Sequence, residues 1–431
     1  MDWDPILGLK ELVRINTTNP PGQEMPLLLQ LKKWLCAHDI PCSIQESAKG
    51  RGNIMAWLEA KEPKEPPLFL ISHIDVVPAQ PEQWQYPPFE AQEADGYIYG
   101  RGTVDTKQLT IMELWALFEL KRQGGPKTRD VFFLATSDEE AGSTYGIQWF
   151  LEHEIEKNGC LKPGREWIAG ADVISEGGGF PIRANGKEYY LCETGQKSCG
   201  TVEFTVRARR ARGIYLTSGD GMARAMGLAG DIGSLELEGT VLDTVRAFKD
   251  KLGDAQLSPM MQKILQAMQH NTMTVTMITG RNINEVHVTC DVRLLPGFGR
   301  EYLETVLDRL CRKWDCEAEI LSLGCGYESS PDGPFLRTLE EATLAELGKT
   351  REETEILPFV SMGSSDGHYL TGLGTRVFGY SPVMGWDLTF DQAVQMIHGV
   401  NERIHRESVL LGCRVLARAV RMATEGEKSD D

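Results

Sequence analysis

Residues 67–78 read P-L-F-L-I-S-H-I-D-V-V-P, a short apolar run that ends in His73 and Asp75. A continuous apolar run of this length predicts a strand that is covered on both faces of a sheet. Residues 131–136 (V-F-F-L-A-T) and 171–175 (A-D-V-I-S) repeat the pattern, and helical periodicity over about 106–123 separates the first two runs. This alternation predicts an α/β fold, a mostly parallel sheet with helices on both faces.

The pattern changes after about residue 195. Residues 201–207, 272–278 and 286–294 alternate apolar and polar side chains, which is typical of half-exposed antiparallel strands. We therefore predict an α+β domain over 196–323, inserted into an α/β domain formed by 1–195 and 324–431. Helical spacing also predicts helices over about 25–38, 144–158 and 398–422.

Composition excludes several classes of function. The 431 residues exceed what one hydrophobic core usually supports, so two domains are expected. With 62 acidic against 45 basic residues, the net charge of −17 repels nucleic acid and anionic lipid. We expect no nucleic-acid partner, no membrane span and, from ten scattered cysteines and an acidic start without a signal sequence, a cytoplasmic location with reduced thiols.

Ionisable side chains cluster where the predicted strands end or helices begin. His73, Asp75, Glu139, Glu140 and Glu176 follow predicted strands, while Asp105 and His398 stand near predicted helix starts. Each cluster alone has a plain explanation as a helix cap, a hydrogen-bonded histidine or a solvated turn. Together they predict one site, because the ligands of open α/β sheets collect at the carboxyl ends of the strands.

Imidazole and carboxylate groups without a thiolate suit zinc, with cobalt or manganese as replacements. Side chains alternate along an extended chain, so Glu139 and Glu140 are not expected to perform the same task. One of them would bind a metal while the other faces the substrate.

The motifs H-x-D-V-V-P, G-R-G-x-x-D-x-K, S-D-E-E-x-G and E-G-G stand at residues 73–78, 100–107, 137–142 and 176–178. In these motifs the chain resembles the two-zinc metallopeptidase family that includes aminoacylase, carboxypeptidase G, succinyl-diaminopimelate desuccinylase and peptidase T. The resemblance extends from residues 17–22 to residues 398–402, which is nearly the whole chain.

The resemblance implies a role for each matching residue. The implied ligands of two zinc ions are His73 and Glu176 for the first, Glu140 and His398 for the second, and Asp105 between them. It further implies that Asp75 orients His73, that Glu139 is the general base, that Arg293 binds a substrate carboxylate, and that the loop around Gly363 lines the substrate pocket. In this family the peptide bond after the bridging aspartate is cis, so Asp105-Thr106 is expected to be cis.

The implied activity is hydrolysis of an amide bond in a peptide or N-acyl amino acid, next to a free carboxylate, by a metal-activated water. The inserted domain corresponds to the family's lid, which often forms a homodimer. Two departures lie in this lid. Ile214 stands where the family has a histidine, and the family's N-V-I-P turn is missing before the strand that carries Arg293. An impaired or inactive metal-binding relative, a hydrolase of N-carbamoyl or ureido compounds, and a metal-free binding protein therefore stay open as alternatives.

Overall fold

A computed structural model of the chain describes residues 3–208, 220–253, 255–282 and 285–425. Its helices are α1 (Pro5–Arg14), α2 (Met25–Ala37), α3 (Lys107–Arg122), α4 (Ile147–Glu152), α5 (Gly164–Ile168), α6 (Asp220–Gly233), α7 (Asp243–Leu252), α8 (Pro259–Ala267), α9 (Arg300–Trp314), α10 (Pro334–Leu347), α11 (Phe390–Met396) and α12 (Arg406–Thr424). In this described part of the chain, none of the helices combines the length and the apolar character that crossing a bilayer requires.

Within the described ranges, the strands form one large and three small sheets. They are β1 (Cys42–Ala48), β2 (Arg51–Leu58), β3 (Leu68–His73), β4 (Gln92–Ala94), β5 (Tyr97–Tyr99), β6 (Val131–Thr136), β7 (Glu154–Lys157), β8 (Cys160–Pro163), β9 (Asp172–Ser175), β10 (Pro181–Ala184), β11 (Lys187–Gln196), β12 (Ser198–Arg207), β13 (Thr272–Asn282), β14 (Glu285–Leu294), β15 (Glu317–Leu323), β16 (Tyr327–Glu328), β17 (Thr354–Ser361), β18 (Arg376–Gly379) and β19 (Arg403–His405).

The large sheet has the order β1-β2-β6-β3-β9-β18-β11-β10, with β16 and β17 also paired to β11. Its centre, β6-β3-β9-β18, is parallel throughout. Along β3, Leu68 and Leu70 pack into a hydrophobic cluster on one face, and Phe69 and Ile71 pack into another on the opposite face. Helices cover both faces, which confirms the predicted α/β fold.

The second sheet, β13-β14-β12-β15, is antiparallel and packs against α6 and α9 around its own hydrophobic cluster. All four of its strands lie in the segment that was predicted to form an inserted α+β domain. Buried residues of α7 and α8, such as Phe248 and Met261, instead join the cluster of the large sheet. The domain boundaries at 195 and 323 stay a prediction.

Two predicted helices differ from the structure. The helix expected over 144–158 ends at Glu152, and β7 and β8 form a hairpin around Asn158 and Gly159. Both turn residues have positive φ, 52° and 78°, so Asn-Gly favours a tight hairpin turn over a continued helix. The last helix starts at Arg406 and not near 398, because His398 and Asn401 have φ of 59° and 58°, which no helix accommodates.

Helix α2 offers a matched test of the core. Leu28 is fully buried against the large sheet, whereas the neighbouring Leu29 is 56% exposed. We expect Leu28→Ala to lower the free energy of unfolding by about 2–5 kcal/mol, because it removes buried methylenes and leaves a cavity. Leu29→Ala should change it by less than about 0.5 kcal/mol. Urea unfolding of both variants checks this, and equal losses would contradict the placement of α2.

Candidate metal centre

Adjacent parallel strands bring the predicted site residues to one edge of the sheet. His73 is the last residue of β3, Glu139 and Glu140 follow β6, and Glu176 follows β9. Because β6, β3 and β9 are neighbours and run parallel, their carboxyl ends lie side by side. This arrangement follows directly from the alternation of strands and helices in the sequence.

A first group of donor atoms surrounds the imidazole of His73. Its Nε2 lies 3.0 Å from Oδ1 of Asp105 and 3.4 Å from Oε2 of Glu176. Donor atoms of His73, Glu139 and Glu176 also lie within 4.8 Å of one another. His73 is buried, and Glu139 and Glu176 are partly exposed at the edge of a cleft.

A second group shares Asp105 with the first. Nε2 of His398 lies 3.1 Å from Oδ2 of Asp105 and 3.1 Å from Oε2 of Glu140. The two oxygens of Asp105 therefore face two different histidines. The sequence motif around His398 led to this residue, although the loop that carries it was expected to be helical.

The donor set fits divalent cations. Burial raises the pKa of Glu176 to about 7, and the nearby charges of Asp105 and Glu140 add to the rise. Burial, reinforced by Glu176, also raises the pKa of Glu139 well above its usual value. The buried Oε1 of Glu140 has no hydrogen-bond partner. Carboxylates concentrated in this way stay ionised together only when positive charge lies among them, and carboxylate oxygens and imidazole nitrogens are ligands that zinc accepts.

Asp75 contacts two segments of this centre, the one that carries His73 and the one that carries Glu139 and Glu140. Nδ1 of His73 donates to the main-chain carbonyl of Asp75 at 3.1 Å, and the nearest carboxylate oxygen of Asp75 is 3.6 Å away. With Nδ1 as donor, Nε2 is free to bind a metal. The carboxylate of Asp75 accepts the main-chain N–H groups of Glu139 and Glu140 at 3.1 and 3.2 Å.

A buried network behind Asp75 was not singled out from the sequence. The side chain of Asn19 donates to Asp75 at 2.8 Å and to Asp138 at 3.0 Å, and Arg51 pairs with Asp138 at 2.9 Å and with Glu24 at 2.6 Å. Asn19 and Asp138 stand inside motifs that carried the resemblance. The signal was therefore present, but it could not reveal which group each side chain contacts.

Glu402 clamps the segment that carries Asp105, and it too was missed as a site residue. Its fully buried carboxylate accepts a hydrogen bond from the guanidinium of Arg101 at 2.7 Å. It also accepts the main-chain N–H groups of Gly102, Val104 and Asp105 at 3.1, 2.7 and 3.1 Å. The Asp105-Thr106 peptide within this segment is cis, as expected.

Of the two predicted substrate-binding residues, Gly363 lines the cavity beside the proposed metal centre, whereas Arg293 is not among its lining residues. Arg293, on β14, donates to both carboxylate oxygens of Asp291 and to the carbonyl of Met362 at 3.0 Å. Gly363 is exposed and lines the same cavity as Glu139 and His398. The predictions about Ile214 and about the missing turn at residues 283 and 284 concern positions outside the described residues.

Comparisons with known proteins identify a family. The sequence model of the peptidase family M20/M25/M40 matches residues 69–422. The N-fatty-acyl-amino acid synthase/hydrolase PM20D1 of Xenopus tropicalis is 28% identical over 80% of this chain and 70% of its own length.

Solved structures show the same fold. The M20 family metallo-carboxypeptidase Sso-CP2 of Sulfolobus solfataricus aligns with a TM-score of 0.70 and 17% identity, over 98% of this chain and 99% of its own. The YXEP protein of Bacillus subtilis, a dinuclear metal binding peptidase from the M20 family, aligns with a TM-score of 0.60 and 14% identity, over 98% of each chain.

The clamp predicts a large effect of one conservative substitution. In Glu402→Gln, Arg101 loses its buried counter-charge, so we expect the free energy of unfolding to fall by about 3–5 kcal/mol. Zinc affinity should fall as well, because the segment that carries Asp105 loses its fixed position. Glu341→Gln, at an exposed position on α10, is the control and should change stability by less than about 0.5 kcal/mol. If denaturant unfolding and metal titration give Glu402→Gln the same stability and zinc affinity as the wild type, the clamp is ruled out.

Proposed function

The chain belongs to the peptidase family M20/M25/M40, and from this premise we propose that it is a metal-dependent hydrolase of amide bonds. Its substrates would be small peptides or N-acyl amino acids cleaved next to a free carboxylate. The name of the Xenopus relative, an N-fatty-acyl-amino acid synthase/hydrolase, supports this class of substrate.

One observation carries the proposal, the division of the Asp105 carboxylate between two imidazoles. One oxygen faces His73 at 3.0 Å and the other faces His398 at 3.1 Å. His73 and Glu176 would hold one metal ion, His398 and Glu140 the other, and Asp105 would contact both. We propose two zinc ions, with cobalt or manganese as replacements.

When bound, such a pair of divalent cations polarises the substrate carbonyl and lowers the pKa of water. Glu139 lies within the donor group of His73 and lines the cavity, so its carboxylate is placed to accept a proton from water. The same carboxylate would return that proton to the leaving amine. Asp75 would hold Glu139 in place through the main-chain N–H that it accepts.

Arg293 and Gly363 would receive the substrate carboxylate and the main chain beside the amide. The guanidinium of Arg293 is held by Asp291 and by the carbonyl of Met362, beside the loop that carries Gly363. Nε and Nη2 of Arg293 donate to Asp291, and Nη1 donates to Met362 and Cys199, so a substrate carboxylate would have to share or replace these partners. The cytoplasmic location and a homodimer through the lid stay predictions.

Substitution of the adjacent residues Glu139 and Glu140 tests the chemical step separately from metal binding. Glu139→Gln keeps the shape of the side chain and removes the base, so we expect turnover to fall by about 10²–10⁴-fold while two metals remain bound. Glu140→Gln should lose metal, because its carboxylate contacts His398 at the second group. Metal analysis and initial rates on the same preparations test this. Equal metal content together with equal loss of activity would contradict the assigned roles.

Metal removal tests the function as a whole. Chelation should abolish hydrolysis of a panel of dipeptides and N-acyl amino acids, and added zinc, cobalt or manganese should restore it. Activity that survives chelation would point to a different hydrolase. A metal-loaded protein without activity on the panel would favour an inactive relative, and activity only on N-carbamoyl compounds would favour the ureido alternative.

The identity of residue 214 leads to a prediction of how efficiently the wild type hydrolyses simple substrates. The side chain of Ile214 has no hydrogen-bond donor, unlike the histidine that the family has at this position. Loss of one oxyanion donor typically costs about 10²–10³-fold in turnover. We therefore expect weak but measurable kcat/KM on simple dipeptides and N-acetyl amino acids. A value near 10⁶ M⁻¹s⁻¹, inside the common range of about 10⁴–10⁸, would show that the donor is dispensable here.

A further inference from the structure

The segment that carries Glu139 is a short turn with little regular structure of its own. It begins after Thr136, the last residue of β6. Its main chain is left-handed at three positions, with φ of 70° at Asp138, 98° at Gly142 and 60° at Ser143. Residues other than glycine rarely adopt such angles unless their surroundings fix them. The position of Glu139 therefore depends on contacts between the turn and other parts of the chain.

Asp366 holds both ends of this turn with one carboxylate. The hydroxyl of Thr136 donates to its Oδ2 at 2.7 Å, and the hydroxyl of Ser143 donates to its Oδ1 at 2.5 Å. All three residues are buried, with at most 4% of their surface exposed. Hydrogen bonds to a carboxylate are short and strong, and burial shields these two from water. Residues 137–142, including Glu139, lie between the two hydroxyl groups.

The same aspartate stands next to a loop that lines the cavity beside the proposed metal centre. This cavity, of about 430 Å³, is lined by Glu139 and by every residue of the loop 361–365, whereas Asp366 is not among its lining residues. The buried Ser365 directly precedes Asp366, and its hydroxyl oxygen accepts the side chain of Gln196 at 3.2 Å. Asp366 thus connects the turn that carries the proposed base to the loop that would meet the substrate.

A second carboxylate, that of Asp75, holds the middle of the turn. It accepts the main-chain N–H groups of Glu139 and Glu140 at 3.1 and 3.2 Å. Asp75 belongs to the strand end that carries His73, so it relates the turn to the metal centre. Asp366 relates the turn to the loop 361–365, and the two contacts have separate consequences.

We propose that Asp366 is a positioning residue, which fixes Glu139 relative to the loop 361–365 by holding both ends of its turn. This inference rests on the proposed function, in which Glu139 is the general base, and it adds a residue on which that base depends. A displacement of about 1 Å from the productive geometry can cost about 10²-fold in rate. Loss of the two hydrogen bonds should therefore affect turnover more than substrate affinity.

Removal of the two hydroxyl groups tests this role and leaves the carboxylate in place. In the double variant Thr136→Val/Ser143→Ala at saturating metal, we expect kcat to fall by about 10²-fold, with KM little changed. The matched control is Thr343→Val/Ser408→Ala, which removes two buried hydroxyls whose hydrogen-bond partners lie on other segments. Ser408 donates to Asp387 at 2.5 Å, as Ser143 does to its own aspartate. An equal fall of kcat in the control would overturn the inference.

A double-mutant cycle separates the positioning of Glu139 from a general loss of stability. In Glu139→Gln the base is already absent, so removal of the hydroxyls of Thr136 and Ser143 should lower kcat little further. Groups that act through one another depart from additivity in this way. If the same removal lowers kcat by the same factor with and without Glu139, the turn is not held for the sake of the base, and the inference fails.

Asp366→Asn distinguishes positioning from an effect of charge. Asparagine has the same shape, and it can accept from one hydroxyl and donate to the other. On the side of Thr136, the released hydroxyl hydrogen can turn to the carbonyl of Ser72, which lies 3.5 Å away. We therefore expect Asp366→Asn to retain most of its turnover. A loss as large as in the double hydroxyl variant would assign the effect to charge and would contradict the positioning role.

Hydrogen exchange provides a readout that does not need activity. The main-chain N–H groups of Glu139 and Glu140 should lose protection in Thr136→Val/Ser143→Ala and keep it in Thr343→Val/Ser408→Ala, because local opening is faster where fixing contacts are lost. Unchanged protection of the turn would overturn the inference, even in an active enzyme. Loss of protection together with absence of hydrolysis by the wild type would instead reject the proposed function and leave the contact with the turn intact.

Discussion

The shared carboxylate of Asp105 is the interaction on which the rest of this site depends. Its two oxygens face His73 and His398, which come from opposite ends of the chain. Each histidine also faces a second carboxylate, Glu176 or Glu140. So many acids at one sheet edge are ionised together only if positive charge lies among them. Asp75 and Glu402 fix the segments that carry the ligands, because both accept hydrogen bonds from main-chain N–H groups of those segments.

Much of this could be predicted from local sequence. The apolar runs at 67–72, 131–136 and 171–175 correspond to the parallel strands β3, β6 and β9, and the polar residues at their carboxyl ends had to lie together once the sheet was parallel. Two helix predictions failed because turn residues override periodicity. Asn158 and Gly159 form a hairpin turn, and His398 adopts a left-handed conformation that its sequence neighbourhood did not reveal.

Contacts between distant segments could not be predicted in the same way. Nothing near Glu402 in the sequence indicates that it accepts three main-chain N–H groups around Asp105, because the partner lies at the other end of the domain. The packing of α8 was hidden in the same way, because the sequence placed this helix within the inserted segment, whereas the structure anchors it to the large sheet through Met261 and Met268. Periodicity reports which face of a helix is apolar, and it does not report what that face meets.

Helices α8 and α11 both line the cavity beside the metal centre, but they differ in how closely they are tied to it. Val394 and Ile397 stand just before His398, and Glu402 follows it, so one segment supplies part of the cavity wall, a proposed ligand and the clamp on Asp105. A substitution that shifts this segment would alter the metal centre together with the cavity. On α8, Met260 and Ile264 line the cavity, and Ile264 also packs against the hydrophobic cluster of the large sheet. Small changes at Met260 should therefore alter the cavity while the proposed ligands stay in place, whereas changes in α11 should affect the cavity and metal binding together.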